Sequence, residues 1–386
     1  MERGCLSMAN IFDYLDWRGD ISFKEDPFNE VDNLVLSWMA YVHLDGILPS
    51  GVCNVSVTIG EAAKRFFEIY NLEEKLKEYS LTKTSALLFH KMMDCPRFAN
   101  MRILNYVNHI SVELQQQFSA MTIEIGEGLL YVAFRGTDDT IVGWREDFNM
   151  SFLPNVPSQL EAVEYLNASV RNRSERLIIG GHSKGGNLAV YAAIHCEPQI
   201  KSKIIRVFNN DGPGFLSEVL QSDAYQEMLP RITTIVPESS IVGMLLGHEE
   251  EYEIVRSSQR GIMQHDAGTW EVERNGFVYL DSVSHSSKFF DRAIKEWVYQ
   301  MDEEHRKLFV DGLFQMLEAS GAKTTGELYT LGFKNVTGAV KVFNDMDTDM
   351  KQKMLLIGRY LFDIMKQNLR TERKKAITAW IEGTQE

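Results

Sequence analysis

The sequence is short of positive charge: 40 Lys and Arg stand against 54 Asp and Glu, for a net charge of −14. That balance argues against general nucleic-acid binding and against docking on an anionic membrane surface, since both need a basic face. It leaves neutral and cationic substrates open. Cysteine is scarce too. Cys5, Cys53, Cys95 and Cys196 are scattered without metal-ligand spacing. No metal centre is expected, and free thiols in a reducing, cytoplasmic compartment are the simplest expectation. Long apolar runs are missing. The stretch Met354–Asp363 near the C-terminus is short and carries Arg359 and Asp363, so it reads as an amphipathic helix rather than a membrane span. No apolar segment follows Met1–Cys5, so no signal peptide is expected. Internal repeats and low-complexity tracts are absent as well.

What is present is an ordinary globular composition, 44% hydrophobic and 24% charged. The 386 residues suffice for one large α/β domain with a smaller appendage. The chain is organised around Leu177–Ala193. An apolar, branched run ends in Gly180-Gly181, Ser183 sits in a G-x-S-x-G frame from Gly181 to Gly185, and Leu188, Ala189, Ala192 and Ala193 then share a helical face. Strand, sharp turn and helix are the context in which this frame marks a nucleophile elbow. The turn is so tight that the residues two positions away must lack side chains. The amide of Lys184, opening the helix, can then face a developing oxyanion. The bland alternative is a glycine-rich strand–helix turn with an incidental serine.

Around the elbow, helices are expected over residues 29–43, 60–78 (capped by Thr58), 83–94 and 157–172. Strands are expected at Tyr106–Glu113, Phe118–Ile125, Leu129–Phe134, Ile204–Phe208, Ile232–Val236 and Glu253–Val255. The alternation predicts a mostly parallel sheet with helices on both faces. From residue 287 onward the pattern is almost entirely helical. The expected division is an N-terminal helical segment packing on the core (1–104), an α/β core (105–287) and a C-terminal helical region (288–386).

Sites in open α/β sheets form at the carboxyl ends of strands. Three loops qualify: Arg135–Asp139, Gly181–Gly185 and Asn209–Gly214. Here the chain resembles the class 3 (fungal-type) lipases. Val132-Ala133-Phe134-Arg135-Gly136-Thr137 with Trp144 and Asp147 is similar to their F-R-G-[ST]…W…D stretch. Gly181-His182-Ser183-Lys184-Gly185 is similar to their G-H-S-x-G elbow, and Asp211-Gly212-Pro213-Gly214 stands where they carry a G-x-P-x-x-G loop. The likeness spans about residues 105–290. The whole chain, with Asn10–Phe28 and Gln264–Trp270, looks still more like a bacterial lipase-like family known only as a domain of unknown function. The resemblance implies an α/β-hydrolase fold and an oxyanion-hole donor at Thr137.

The remaining partners should follow the serine in the order acid, then histidine. Of the later histidines, His195 lies on the elbow helix and His305 in a charged helix start, Asp302–Arg306. His265 and His285 remain as candidate bases. His265 sits in a loop after the expected last strand and is favoured on placement. The family pattern, with its base just before a terminal helix, points to His285 instead. The acid is Asp211, directly after a strand, or Glu238, after the next strand, where the class 3 pattern would put it. Glu238 also reads as flanking a helix at Ile241–Leu246, so Asp211 is favoured. Arg135 and Asp147 read as structural, pairing with each other to hold the oxyanion loop. The expected function is a serine hydrolase of carboxylic esters acting on a small ester or lipid, through Ser183, His265 and Asp211, with Thr137 and Lys184 amides at the oxyanion and no cofactor. A thioesterase or peptidase would use the same machinery. The rival reading is a non-catalytic protein of this fold whose C-terminal helices bind a partner.

Overall fold

The computed structural model describes residues 9–284, apart from 54, 78–82, 127 and 151, and parts of 303–355. A nine-stranded sheet runs through it in the order β1-β2-β3-β4-β5-β6-β7-β8-β11. The strands are β1 Val57–Thr58, β2 Arg102–Ser111, β3 Gln116–Gly126, β4 Leu129–Phe134, β5 Arg176–His182, β6 Ile204–Asn210, β7 Ile232–Pro237 and β8 Tyr252–Val255. A small hairpin of β9 Val272–Glu273 and β10 Gly276–Phe277 follows, and then β11 Tyr279–Leu280. Strands β4 to β8 are parallel throughout.

The expectation of a mostly parallel sheet therefore holds for the centre and not for the margins. β1 to β4 form an antiparallel meander and β11 returns antiparallel on β8. For β2 to β4 the reason is connection length. Residues 112–115 and 127–128 are all that join β2 to β3 and β3 to β4, whereas a parallel crossover needs a dozen or more residues.

Both faces of the parallel centre are covered, which explains why β4 reads as an unbroken apolar run. Leu130, Val132 and Phe134 pack with Leu177, Ile179 and Val207 under helices Pro157–Val170 and Lys184–His195. The alternate residues Tyr131, Ala133, Ile178 and Phe208 face the other way, against helices Ile11–Arg18, Glu30–Met39, Ile59–Ile69 and Thr84–Met92. Period-two alternation thus serves two apolar layers at once.

Local signals set the helix starts. Asn10, Asn29 and Thr58 each cap a helix and close a reciprocal capping box with Asp13, Asp32 and Glu61. The helix expected over 60–78 is broken. Tyr70 is extended, and the Asn71 side chain takes the amides of Glu73 and Glu74 to start a new helix, Leu72–Lys77.

Much of the helical region expected at 288–386 lies outside the described residues. Within it, helix Glu303–Glu318 lies against helix Ile141–Asn149, where Val310 and Phe314 meet Ile141 and Phe152. Arg145 clasps Asp311 at 2.8 Å and Glu318 at 2.9 Å. Among the described residues no helix is long and apolar enough to cross a membrane.

Candidate active site

The carboxyl ends of β4, β5 and β6 converge on Ser183. β5 ends at His182, Ser183 takes φ 58° and ψ −135°, and the helix begins at Lys184. A β-carbon rarely tolerates that backbone, and holding it costs on the order of 1–3 kcal/mol. Packing on both sides enforces it. A β-carbon on Gly185 would lie 2.1 Å from the Phe134 carbonyl oxygen, and one on Gly181 would lie 2.3 Å from the Gly185 carbonyl. The G-x-S-x-G frame is thus the sequence image of β4, β5 and the helix start pressed together. The Ser183 amide donates to the Asn210 carbonyl at 2.9 Å, tying the elbow to the end of β6. The residue is 8% exposed.

Asp211, the next residue after β6, is fully buried with φ 51°. Its Oδ1 accepts the Ser240 hydroxyl and the Gly243 amide, and its Oδ2 accepts His265 Nδ1 at 2.6 Å. Nδ1 therefore carries the proton, and Nε2 is left as the basic nitrogen of the ring. His265 ends a 3₁₀ turn, Gly261–His265, and its side chain is 23% exposed. Its ring lies 4.5 Å from that of His182, the neighbour of Ser183. The structure thus brings Asp211 and His265 together and sets them beside the elbow.

Glu238 is placed differently. Its carboxylate meets Gln264 Nε2 at 3.5 Å, and its amide pairs with the Val255 carbonyl. The helix expected at Ile241–Leu246 is absent. Those residues form turns that wrap Asp211, because Ser240 and Gly243 are drawn to its carboxylate. His195 stacks on Tyr191 at the far end of the elbow helix, and His248 pairs with Glu250 at 3.0 Å. His285 lies outside the described residues.

Beside Ser183, β4 runs into Arg135-Gly136-Thr137. A β-carbon on Gly136 would sit 3.0 Å from the Ser183 β-carbon and 2.1 Å from the Tyr41 hydroxyl. The Thr137 hydroxyl donates to Asp147 at 2.6–2.7 Å. The expected Arg135–Asp147 pair does not form. Arg135 turns to Asn108 at 2.9 Å and Asp138 at 3.3 Å, while Asp147 is held by Thr137 and lies 3.9 Å from Lys184 Nζ. Burial raises the Asp147 carboxyl to about 6, against the opposing pull of the Lys184 charge and the Thr137 bond.

Two features of the site are missed by reading the sequence. Lys184 matters for its side chain as well as its amide. Its fully buried ammonium donates to Gln117 O at 2.8 Å, Gln117 Oε1 at 3.0 Å and Glu146 Oε2 at 2.9 Å. A lysine on an otherwise small and apolar helix face was the signal available. His182, buried, meets the Tyr41 hydroxyl at 3.0 Å through Nδ1 and the His265 carbonyl at 2.8 Å through Nε2. Among the described residues no group of three His, Cys, Asp or Glu side chains is placed to hold a metal ion.

The sequence model of the Mbeg1-like family matches residues 92–315 of the chain. No curated protein matches it. Solved structures similar to it include the M37 lipase, at 14% identity over 56% of this chain and 70% of that one, with a TM-score of 0.35. The Rhizomucor miehei lipase propeptide complex is 16% identical over 63% of this chain and 80% of that one, with a TM-score of 0.36. A mutant form of MDLA from Penicillium cyclopium is 11% identical over 64% of this chain and 83% of that one, with a TM-score of 0.39.

Proposed function

The chain belongs to the Mbeg1-like family, a lipase-like family, and from that premise we propose that it is a serine hydrolase of carboxylic esters. In this reading Ser183 Oγ attacks the ester carbonyl and passes its proton to His265 Nε2. Asp211 fixes the imidazole tautomer and stabilises the imidazolium as it forms. The tetrahedral oxyanion is received by the amides of Lys184 and Thr137, with the Thr137 hydroxyl held by Asp147. His265 then protonates the leaving alkoxide, giving an acyl-enzyme. Water, deprotonated by the same His265, releases the acid and restores the serine.

The observation that carries this reading is the 2.6 Å bond from His265 Nδ1 to the buried Asp211 carboxylate. It commits one imidazole nitrogen to an acid, beside a serine held at φ 58°. A turn aspartate with an incidental neighbour would not need burial, two further donors and an imidazole N–H partner together. The substrate class proposed is a short-chain carboxylester or a lipid acyl ester. The described cysteines Cys53, Cys95 and Cys196 are free thiols, which suits a reducing, cytoplasmic compartment. The C-terminal helical region expected over 288–386 is proposed as an appendage to the α/β core.

The experiment is hydrolysis of p-nitrophenyl butyrate by the full chain and by Ser183→Ala. The expected result is turnover by the first and none by a folded Ser183→Ala. Full activity in the variant would remove the reading. Comparing the matching thioester and anilide then separates esterase from thioesterase and peptidase action.

A further inference from the structure

His182 is the residue just before the proposed nucleophile, and its side chain neither points into solvent nor simply fills space. It is buried, and both ring nitrogens are engaged. Nε2 faces a carbonyl, so it must carry the proton, and Nδ1 is then the acceptor of the Tyr41 hydroxyl. That carbonyl belongs to His265, the residue whose own Nδ1 meets Asp211. The ring is clamped by neighbours: Trp38 edge-on at 4.9 Å, Tyr41 at 5.9 Å and Trp270 at 6.3 Å. One continuous chain of bonds therefore runs from Tyr41, through His182, to the backbone of His265.

The geometry points to His182 as a positioning residue that fixes the 3₁₀ turn Gly261–His265 through its Nε2–H, so that the His265 imidazole is held between Asp211 and the elbow. This rests on the hydrolase reading for its effect on rate, but not for the placement itself. The His265 turn has need of such a hold. It lies in the excursion between β8 and β11 rather than on a strand or a long helix, and a turn of that kind is not rigid by itself. The same contact suits the chemistry. The two imidazoles are 4.5 Å apart, and burial with His265 beside it pushes His182 well below the ordinary imidazole range. His182 stays neutral, and the single positive charge of the pair can develop on His265.

The test reads the downfield proton of His265 Nδ1 by NMR in the full chain, assigned by its loss in Asp211→Asn, together with kcat and KM for p-nitrophenyl butyrate. His182→Asn is polar but too short to span from Tyr41 to the His265 carbonyl. It is expected to lose or broaden the resonance and to lower kcat about 10²-fold at little-changed KM, the scale set by displacing a catalytic group by about an ångström. His182→Gln keeps a donor and an acceptor at the needed reach. It is expected to keep the resonance and restore kcat to within about tenfold. An unchanged resonance in His182→Asn overturns the inference, as do Asn and Gln variants that behave alike. The resonance belongs to the resting protein. A wild-type chain that turns over no ester would sink the hydrolase reading and leave this test standing.

Discussion

Lys184→Met is the sharpest perturbation the core of the site offers. The lysine ammonium and the Glu146 carboxylate are both fully buried and 2.9 Å apart. Methionine fills nearly the same volume, so little of the effect comes from a cavity. What remains is a carboxylate in a dry site with its cation gone. The Ser158 amide and hydroxyl and the Gln117 amide still donate to it, and these bonds soften the loss without neutralising the charge. Breaking a buried pair from one side costs about 3–5 kcal/mol. Two acceptors of the lysine, Gln117 O and Gln117 Oε1, also lose a donor. The Ser158 hydroxyl reaches both Gln117 O and Glu146 Oε2, and its one proton serves only one of them at a time. Lys184→Met/Glu146→Gln removes the stranded charge while the new amide oxygen still accepts from Ser158. It should regain at least about half of the loss, a coupling of at least about 1.5 kcal/mol. The assay is equilibrium urea unfolding followed by tryptophan fluorescence, with each variant's midpoint and slope fitted separately. A Lys184→Met variant within about 1 kcal/mol of wild type would refute the reasoning, as would strictly additive single and double variants.

Asp211→Asn keeps size and shape but removes the charge beside His265. We expect kcat for p-nitrophenyl butyrate to fall about 10⁴-fold with a much smaller change in KM, while Glu238→Gln stays within a few-fold of wild type. A dead Glu238→Gln with an active Asp211→Asn would move the acid to the loop after β7. Asp147, raised to about 6, makes stability depend on pH. The folded chain holds this proton more tightly than the unfolded one. The penalty is therefore absent below the unfolded value near 4 and grows as pH rises through 6. Relative to Asp147→Asn, wild type should lose about 1–3 kcal/mol between pH 4 and 7, the lower part of that range reflecting a side chain still 27% exposed. A difference that stays flat in urea titrations at the two pH values contradicts the shift.

Some of this architecture is legible in the chain and some is not, for physical reasons. The elbow can be read because its constraint is local. Phe134, Gly181 and Gly185 pack so closely that the spacing of glycines about Ser183 is dictated within five residues. β4 to β7 can be read because each carries an apolar run followed by a helix or a turn of distinct composition. The antiparallel margin is harder, since β2 and β3 have the same apolar look and differ only in the length of the turn between them. Glu238 is set aside in the sequence on a ground the structure does not share. Residues 241–246 resemble the start of a helix, and the pull of Asp211 on Ser240 and Gly243 makes them turns. The partners of Lys184 and His182 are beyond such reading altogether. Glu146 is 38 residues from Lys184, Tyr41 is 141 from His182 and His265 is 83 from it, and none of these pairs leaves a periodic trace.

The central claim is that Ser183 is a nucleophile activated by His265. Its most direct measurement is labelling of the full chain with a fluorophosphonate probe, followed by peptide mass spectrometry and a time course for wild type and His265→Ala. The account predicts one adduct, on the peptide carrying Ser183, formed about 10³-fold more slowly or not at all in the His265→Ala variant. An unlabelled wild type, an adduct on another residue, or equal rates in the two proteins would contradict it.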